Sequence, residues 1–172
     1  GAPALTDTAV INVNLTDVNE APTLADVAFS IDENSSNSAA VATLAGADQD
    51  AGLNGAVSFL ILTGNESGAF ALDPMTGALS VADTSQLNFE ANPAFSLTVG
   101  ISDGGTPPLS EIATIVINLN DLNEAPFVGD ATFAIDENSP NLSPVGTVTG
   151  SDVDSGVNGS LTYAISAGND SG

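Results

Sequence analysis

Apolar and polar positions alternate along short stretches of this chain. Ile11, Val13 and Leu15 are separated by Asn12 and Asn14, and Ile115, Ile117 and Leu119 keep the same spacing. A period of two is that of a half-buried β-strand. Residues 57–62 and 95–99 predict further strands. Turn chemistry separates them at Asp73-Pro74, Thr76-Gly77 and Asp103-Gly104-Gly105. About seven strands are expected between Ala25 and Asn120, and no stretch sustains a helical period. Short strands with regular turns over roughly 100 residues predict an all-β, antiparallel sandwich of the Greek-key kind.

The pattern repeats. Asp17-Val18-Asn19-Glu20-Ala21-Pro22 returns 104 residues later as Asp121-Leu122-Asn123-Glu124-Ala125-Pro126. At the same offset Ile31-Asp32-Glu33-Asn34-Ser35 returns from Ile135 to Ser139, Asp48-Gln49-Asp50 as Asp152-Val153-Asp154, and Asn54-Gly55 as Asn158-Gly159. Gly64-Asn65-Glu66-Ser67-Gly68 returns as the last five residues, from Gly168 to Gly172. The expected organisation is tandem sandwiches joined end to end. Residues 1–17 are the last strand of one repeat, 18–121 a whole repeat, and 122–172 the start of a third. The opening Gly1-Ala2-Pro3 reads as the edge of a piece cut from something longer.

Composition then narrows the chemistry. The 172 residues include 22 Asp and Glu but no Lys, Arg, His or Cys, for a net charge of −22. Such acidity can accompany disorder, but 42 % apolar residues in a strict pattern can build a core. With no cation to neutralise phosphate, nucleic-acid binding is excluded, and so is attraction to anionic membranes. No apolar run reaches the ~18 residues of a membrane-spanning helix, so direct membrane insertion is not expected. Disulfides cannot form. His, Lys and Cys catalysis is unavailable, so no enzyme is expected. Like charges ~5 Å apart repel by about 3 kcal/mol per pair at an effective dielectric of ~20. Clustered carboxylates in this chain therefore need cations from outside.

Five motifs occur in order in the whole repeat: Ile31-Asp32-Glu33-Asn34, Asp48-Gln49-Asp50, Leu87-Asn88-Phe89-Glu90, Asp103-Gly104-Gly105 and the linker that begins at Asp121. Together they resemble a cadherin repeat, and the resemblance covers essentially the whole chain. It implies three calcium ions where one repeat meets the next. At the second junction it implies ligands from Glu33, Asn88, Glu90, Asp121, the Leu122 carbonyl, Asn123, Glu124, Asp152, Asp154 and Asn158. At the first, Asp17, Asn19, Glu20, Asp48, Asp50, Asn54 and Asp103 take these roles, without the upstream glutamates. Asn88 and Glu124 stand where the family more often has Asp, so one calcium position is expected to be altered.

The donor set agrees with that implication. Calcium takes six to eight oxygen ligands, and a structural zinc site without Cys or His is ruled out. Glu33, Glu90, Asp121, Glu124, Asp152 and Asp154 are six carboxylates, which three divalent ions would balance. Asp48 to Asn54 begins like an EF-hand loop, but Leu53 and Phe59 stand where that loop needs Gly and Glu. Asp7, Asp26, Asp83, Asp130 and Asp170 read as solvated surface acids. The expected function is a calcium-rigidified, extracellular repeat from the stalk of a surface adhesin or fibre, of bacterial origin. Its partners would be neighbouring repeats, including those of other chains in a fibre. The alternative is a carbohydrate- or protein-binding module attached to a secreted enzyme.

Overall fold

The computed structural model describes residues 1–168. The strands predicted between Ala25 and Asn120 form, seven in number: β1 (Val27–Asp32), β2 (Ala40–Thr43), β3 (Ser58–Thr63), β4 (Phe70–Leu72), β5 (Ala78–Val81), β6 (Ala94–Ser102) and β7 (Ser110–Asn120). They make two sheets, one in the order β1-β7-β6-β3 and the other β2-β5-β4. A single 3₁₀ turn, Thr84–Gln86, precedes β6.

The alternation along each strand explains the packing. Leu97, Val99 and Ile101 of β6 and Ala113, Ile115, Ile117 and Leu119 of β7 all turn inward and are buried. They meet Phe70, Leu79 and Val81 from the second sheet and Phe59 from β3. Phe70 and Phe95 pack edge to face across the sandwich, their ring centroids 5.0 Å apart.

One pairing departs from the antiparallel expectation: β1 runs parallel to β7, with Val27 opposite Ile115 and Asp32 opposite Asn120. Both strands therefore end at the same pole. Glu33, just past β1, donates its backbone N–H to the Asn120 carbonyl and lies beside the linker. The opposite pole gathers the 47–56 loop, the Asp103 turn and residues 17–24, where Thr23 bridges to Ala47.

The outer pieces differ from expectation. Residues 6–16 form no strand, and Ile11, Val13 and Leu15 are exposed. Their counterpart β7 is held by β1 and β6, whereas residues 6–16 pair with no strand among the described residues. Among the described residues of the third piece, only β8 (Phe127–Val128) and β9 (Gly150–Ser151) pair. Phe133 and Ile135, which would match Phe29 and Ile31 of β1, lie outside any strand and are exposed. The backbone nevertheless repeats. Asn34 and Asn138 both have positive φ (56° and 60°), and so do Gly52 and Gly156 (68° and 65°).

Candidate metal centre

At the second junction Glu33 is 1 % exposed although it is an acid. Its Oε1 accepts the Leu122 N–H and its Oε2 the Phe89 N–H, both at 2.8 Å. One carboxylate thus ties the end of β1, the Leu87–Glu90 segment and the linker together through charge-assisted bonds. The left-handed backbone at Asn34, a conformation that Asn tolerates, accompanies a 2.8 Å bond from its Nδ2 to Glu124 Oε1.

Carboxylate oxygens of Glu33, Glu90 and Asp121 lie within 4.8 Å of one another, as do those of Glu90, Glu124 and Asp154. Glu90 belongs to both groups and links five acids from the whole repeat, the linker and the third piece. The linker is fastened to that piece by the Glu124 N–H, which donates to Asp154 Oδ2 at 2.9 Å. Asp154 N–H in turn donates to Asp152 Oδ1. Glycine is required at 159, because a Cβ there would run into the Asp154 carbonyl.

Two oxygens in this network, Glu124 Oε2 and Asp154 Oδ1, are buried without a hydrogen-bond partner. A buried acceptor without a donor costs about 1–3 kcal/mol. With no basic side chain in the sequence, a cation is the partner that their chemistry calls for. Burial pushes the Glu124 carboxyl above its ordinary value, the Asn34 amide opposes this, and the charges of Glu33 and Glu90 with the Asp154 contact push the same way. An oxygen-only set of this density fits a hard divalent ion.

The first junction repeats the local geometry. Glu20 N–H donates to Asp50 Oδ2 at 2.9 Å, and Asp50 N–H to Asp48 Oδ1 at 2.8 Å. Asp48 Oδ2 and Asn19 Oδ1 are buried and unpartnered. Asn19 Nδ2 donates to Asp103 Oδ2, while Asp103 Oδ1 accepts the Gly105 and Leu109 N–H groups. A Cβ at Gly105 would strike the Asn19 side chain, so glycine admits the linker here. The hydrogen bond with Asp50 raises the Glu20 carboxyl, aided by desolvation and the Asp50 and Asp17 charges and opposed by Gln49. Asp17 is exposed and Asn54 half-buried. Among the described residues, both three-carboxylate groups lie at the second junction.

Not every expected ligand converges. Asn88 Oδ1 accepts the Ala91 N–H at 2.7 Å in a local turn. Asn158 is exposed, and Asn123 donates to the Glu124 carbonyl. Asp152 reaches the network only through Asp154, and Leu122 engages Glu33 by its N–H. Asn34 was not among the expected ligands, although its return as Asn138 at the 104-residue offset was a signal. Of the surface acids, Asp83 caps the 3₁₀ turn by accepting Ser85 N–H, and Asp26 accepts Thr114 N–H. Asp7 accepts Thr8 N–H, Asp130 is exposed, and Asp170 lies outside the described residues.

The Cadherin domain family model matches residues 27–120, more than half of the chain. The chain belongs to the cadherin family. It is 36 % identical over 178 residues to the protocadherin-like wing polarity protein stan of Drosophila melanogaster, and 36 % over 172 to human Cadherin-23. These alignments cover 99 % and 96 % of this cadherin chain but 5 % of each relative, so it spans about a twentieth of their length. Among solved structures it resembles human CDH23 EC21-23, with a TM-score of 0.70 and 27 % identity over 83 % of this chain and 47 % of that one. It also resembles the extracellular domain of Protocadherin GammaB4, with a TM-score of 0.66 and 26 % identity over 91 % of this chain and 28 % of that one. The bacterial origin expected from the sequence is not borne out by these relatives, which are animal proteins.

Proposed function

We propose that this chain is a stretch of an extracellular, non-enzymatic cadherin rod in which calcium at the repeat junctions fixes one sandwich relative to the next. The observation that carries this reading is the pair of carboxylate groups sharing Glu90, with unpartnered buried oxygens on Glu124 and Asp154. Glu33, Glu90, Asp121, Glu124 and Asp154 would hold calcium there, with Asp152 orienting Asp154. Asp48, Asp50, Glu20 and Asn19 would do so at the first junction. Calcium supplies positive charge that relieves the repulsion and fills the orphaned acceptors. Clustered acids of this kind agree with the calcium binding typical of cadherin domains. The division into residues 1–17, 18–121 and 122–172 follows from placing the junctions at the two linkers.

The rod role suits a sandwich whose first and last strands enter and leave at opposite poles. A carbohydrate platform is less well supported: all five Phe of the whole repeat pack in or against its core. Small-angle X-ray scattering with calcium and with chelator tests the reading. A longer, stiffer particle is expected with calcium, and equal maximum dimensions under both conditions contradict it.

A further inference from the structure

Asparagine is among the heat-labile residues. Two asparagines of the chain, Asn54 and Asn158, are followed by glycine, and they occupy the same place in the repeat. Packing dictates each glycine. A Cβ at Gly55 would run into the Asp50 carbonyl, and one at Gly159 into the Asp154 carbonyl. Neither loop can therefore shield its asparagine with a larger neighbour. A residue without a side chain also lets its backbone nitrogen approach the preceding side chain closely. In an Asn-Gly pair that approach can close a succinimide ring.

The two loops are held differently. The Asp103 turn lies against the first, where a Cβ at Gly104 would strike the Leu53 carbonyl, and Asn54 is half-buried. Asn158 is exposed in a turn over residues 156–159. Among the described residues, nothing hydrogen-bonds to its side chain or to the Gly159 N–H. By contrast Asn34 and Asn37, each followed by Ser, are tied down: Asn34 donates to Glu124, and Asn37 accepts the Thr84 N–H.

We propose that Asn158 is a site of spontaneous deamidation, and that its conversion loosens the linker clasp beside it. The Gly159 nitrogen loses its proton and attacks Cγ of Asn158. An N–Cγ bond forms, the Cγ–Nδ2 bond breaks, and Nδ2 leaves as ammonia with the proton. Water then opens the succinimide. Opening at Cγ gives Asp, whereas opening at the backbone carbonyl gives isoaspartate, with the chain rerouted through Cγ. Either product adds a negative charge to a loop that already carries Asp152 and Asp154. Isoaspartate also lengthens the backbone just before Gly159, which fits against the Asp154 carbonyl with no room for a Cβ. Asp154 is the acceptor that holds the Glu124 N–H. The step needs water and the open turn, and no ion.

Peptide mapping by mass spectrometry of the full chain, aged in calcium at neutral and mildly alkaline pH, tests this. Deamidation is expected several-fold faster at Asn158 than at Asn54 and faster as pH rises, with isoaspartate detected by enzymatic methylation of its carboxylate. In denaturant the two rates should converge, since the difference lies in how the loops are held. N158Q should abolish the fast phase and N54Q should leave it. In the purified isoaspartate product, amide hydrogen exchange at Glu124 should be faster than in the parent. Equal rates at the two asparagines of the folded chain overturn the site, and so does an excess at Asn158 that persists in denaturant. Unchanged exchange at Glu124 overturns the loosening.

Discussion

The backbone N–H of Glu124 donates to Oδ2 of Asp154 at 2.9 Å, joining the linker to the third piece of the chain. Glu20 and Asp50 make the same bond at the same distance 104 residues earlier. In both pairs a carboxylate in the next repeat holds the linker backbone. Asp154 turns its other oxygen into a buried position without a donor. The junction is thus built of groups that attach the linker to the next repeat and repel one another while doing so.

Calcium should stabilise the fold far more than salt does. An ion bound only by the folded state at ~100 times its dissociation constant adds about 2.7 kcal/mol. Thermal unfolding should rise markedly with millimolar-range calcium and only slightly with sodium chloride of equal ionic strength. Equal shifts would show charge screening alone.

Glu33 should matter to folding even without metal. Replacing it with Ala leaves the Leu122 and Phe89 N–H groups unpaired, at about 1–3 kcal/mol for each that stays buried. Glu33→Gln keeps one acceptor oxygen and should lose less. Denaturant unfolding in chelator measures both, and a Glu33→Ala variant as stable as the parent would contradict the bonding described.

Acid should weaken the Asp103 turn. Burial alone would raise this carboxyl, but the N–H groups of Leu109 and Gly105 and the Asn19 amide outweigh it and hold it below its ordinary value. A lowered folded-state value means that its contribution is present above the ordinary Asp range and is lost as pH falls through the lowered value. Asp103→Asn should therefore flatten the acid limb of a stability–pH curve. An unaltered limb would argue against this network.

The sandwich was legible because burial imposes a period of two, and the inward positions of β6 and β7 keep it without interruption. The parallel β1–β7 pair was not, since strand direction depends on which pole the chain enters and leaves. Residues 6–16 have the pattern of β7 but not its neighbours, and a strand needs both. Among the acids, the recurring motifs pointed to the junctions. Spacing could not reveal that Asn88 folds back on Ala91, that Asp83 caps a turn, or that Asn34 reaches Glu124.

Glu90 stands at the centre of the account, being shared by both carboxylate groups. Calorimetric calcium titration of Glu90→Gln and Asp83→Asn beside the parent tests it most directly. Each variant removes one negative charge from the same repeat, and Asn at 83 can still cap the 3₁₀ turn. Glu90→Gln should weaken calcium binding steeply or remove a site, whereas Asp83→Asn should act only through weak, screened attraction. Equal losses in the two variants would mean that the acidity acts diffusely and that the junction is not the site.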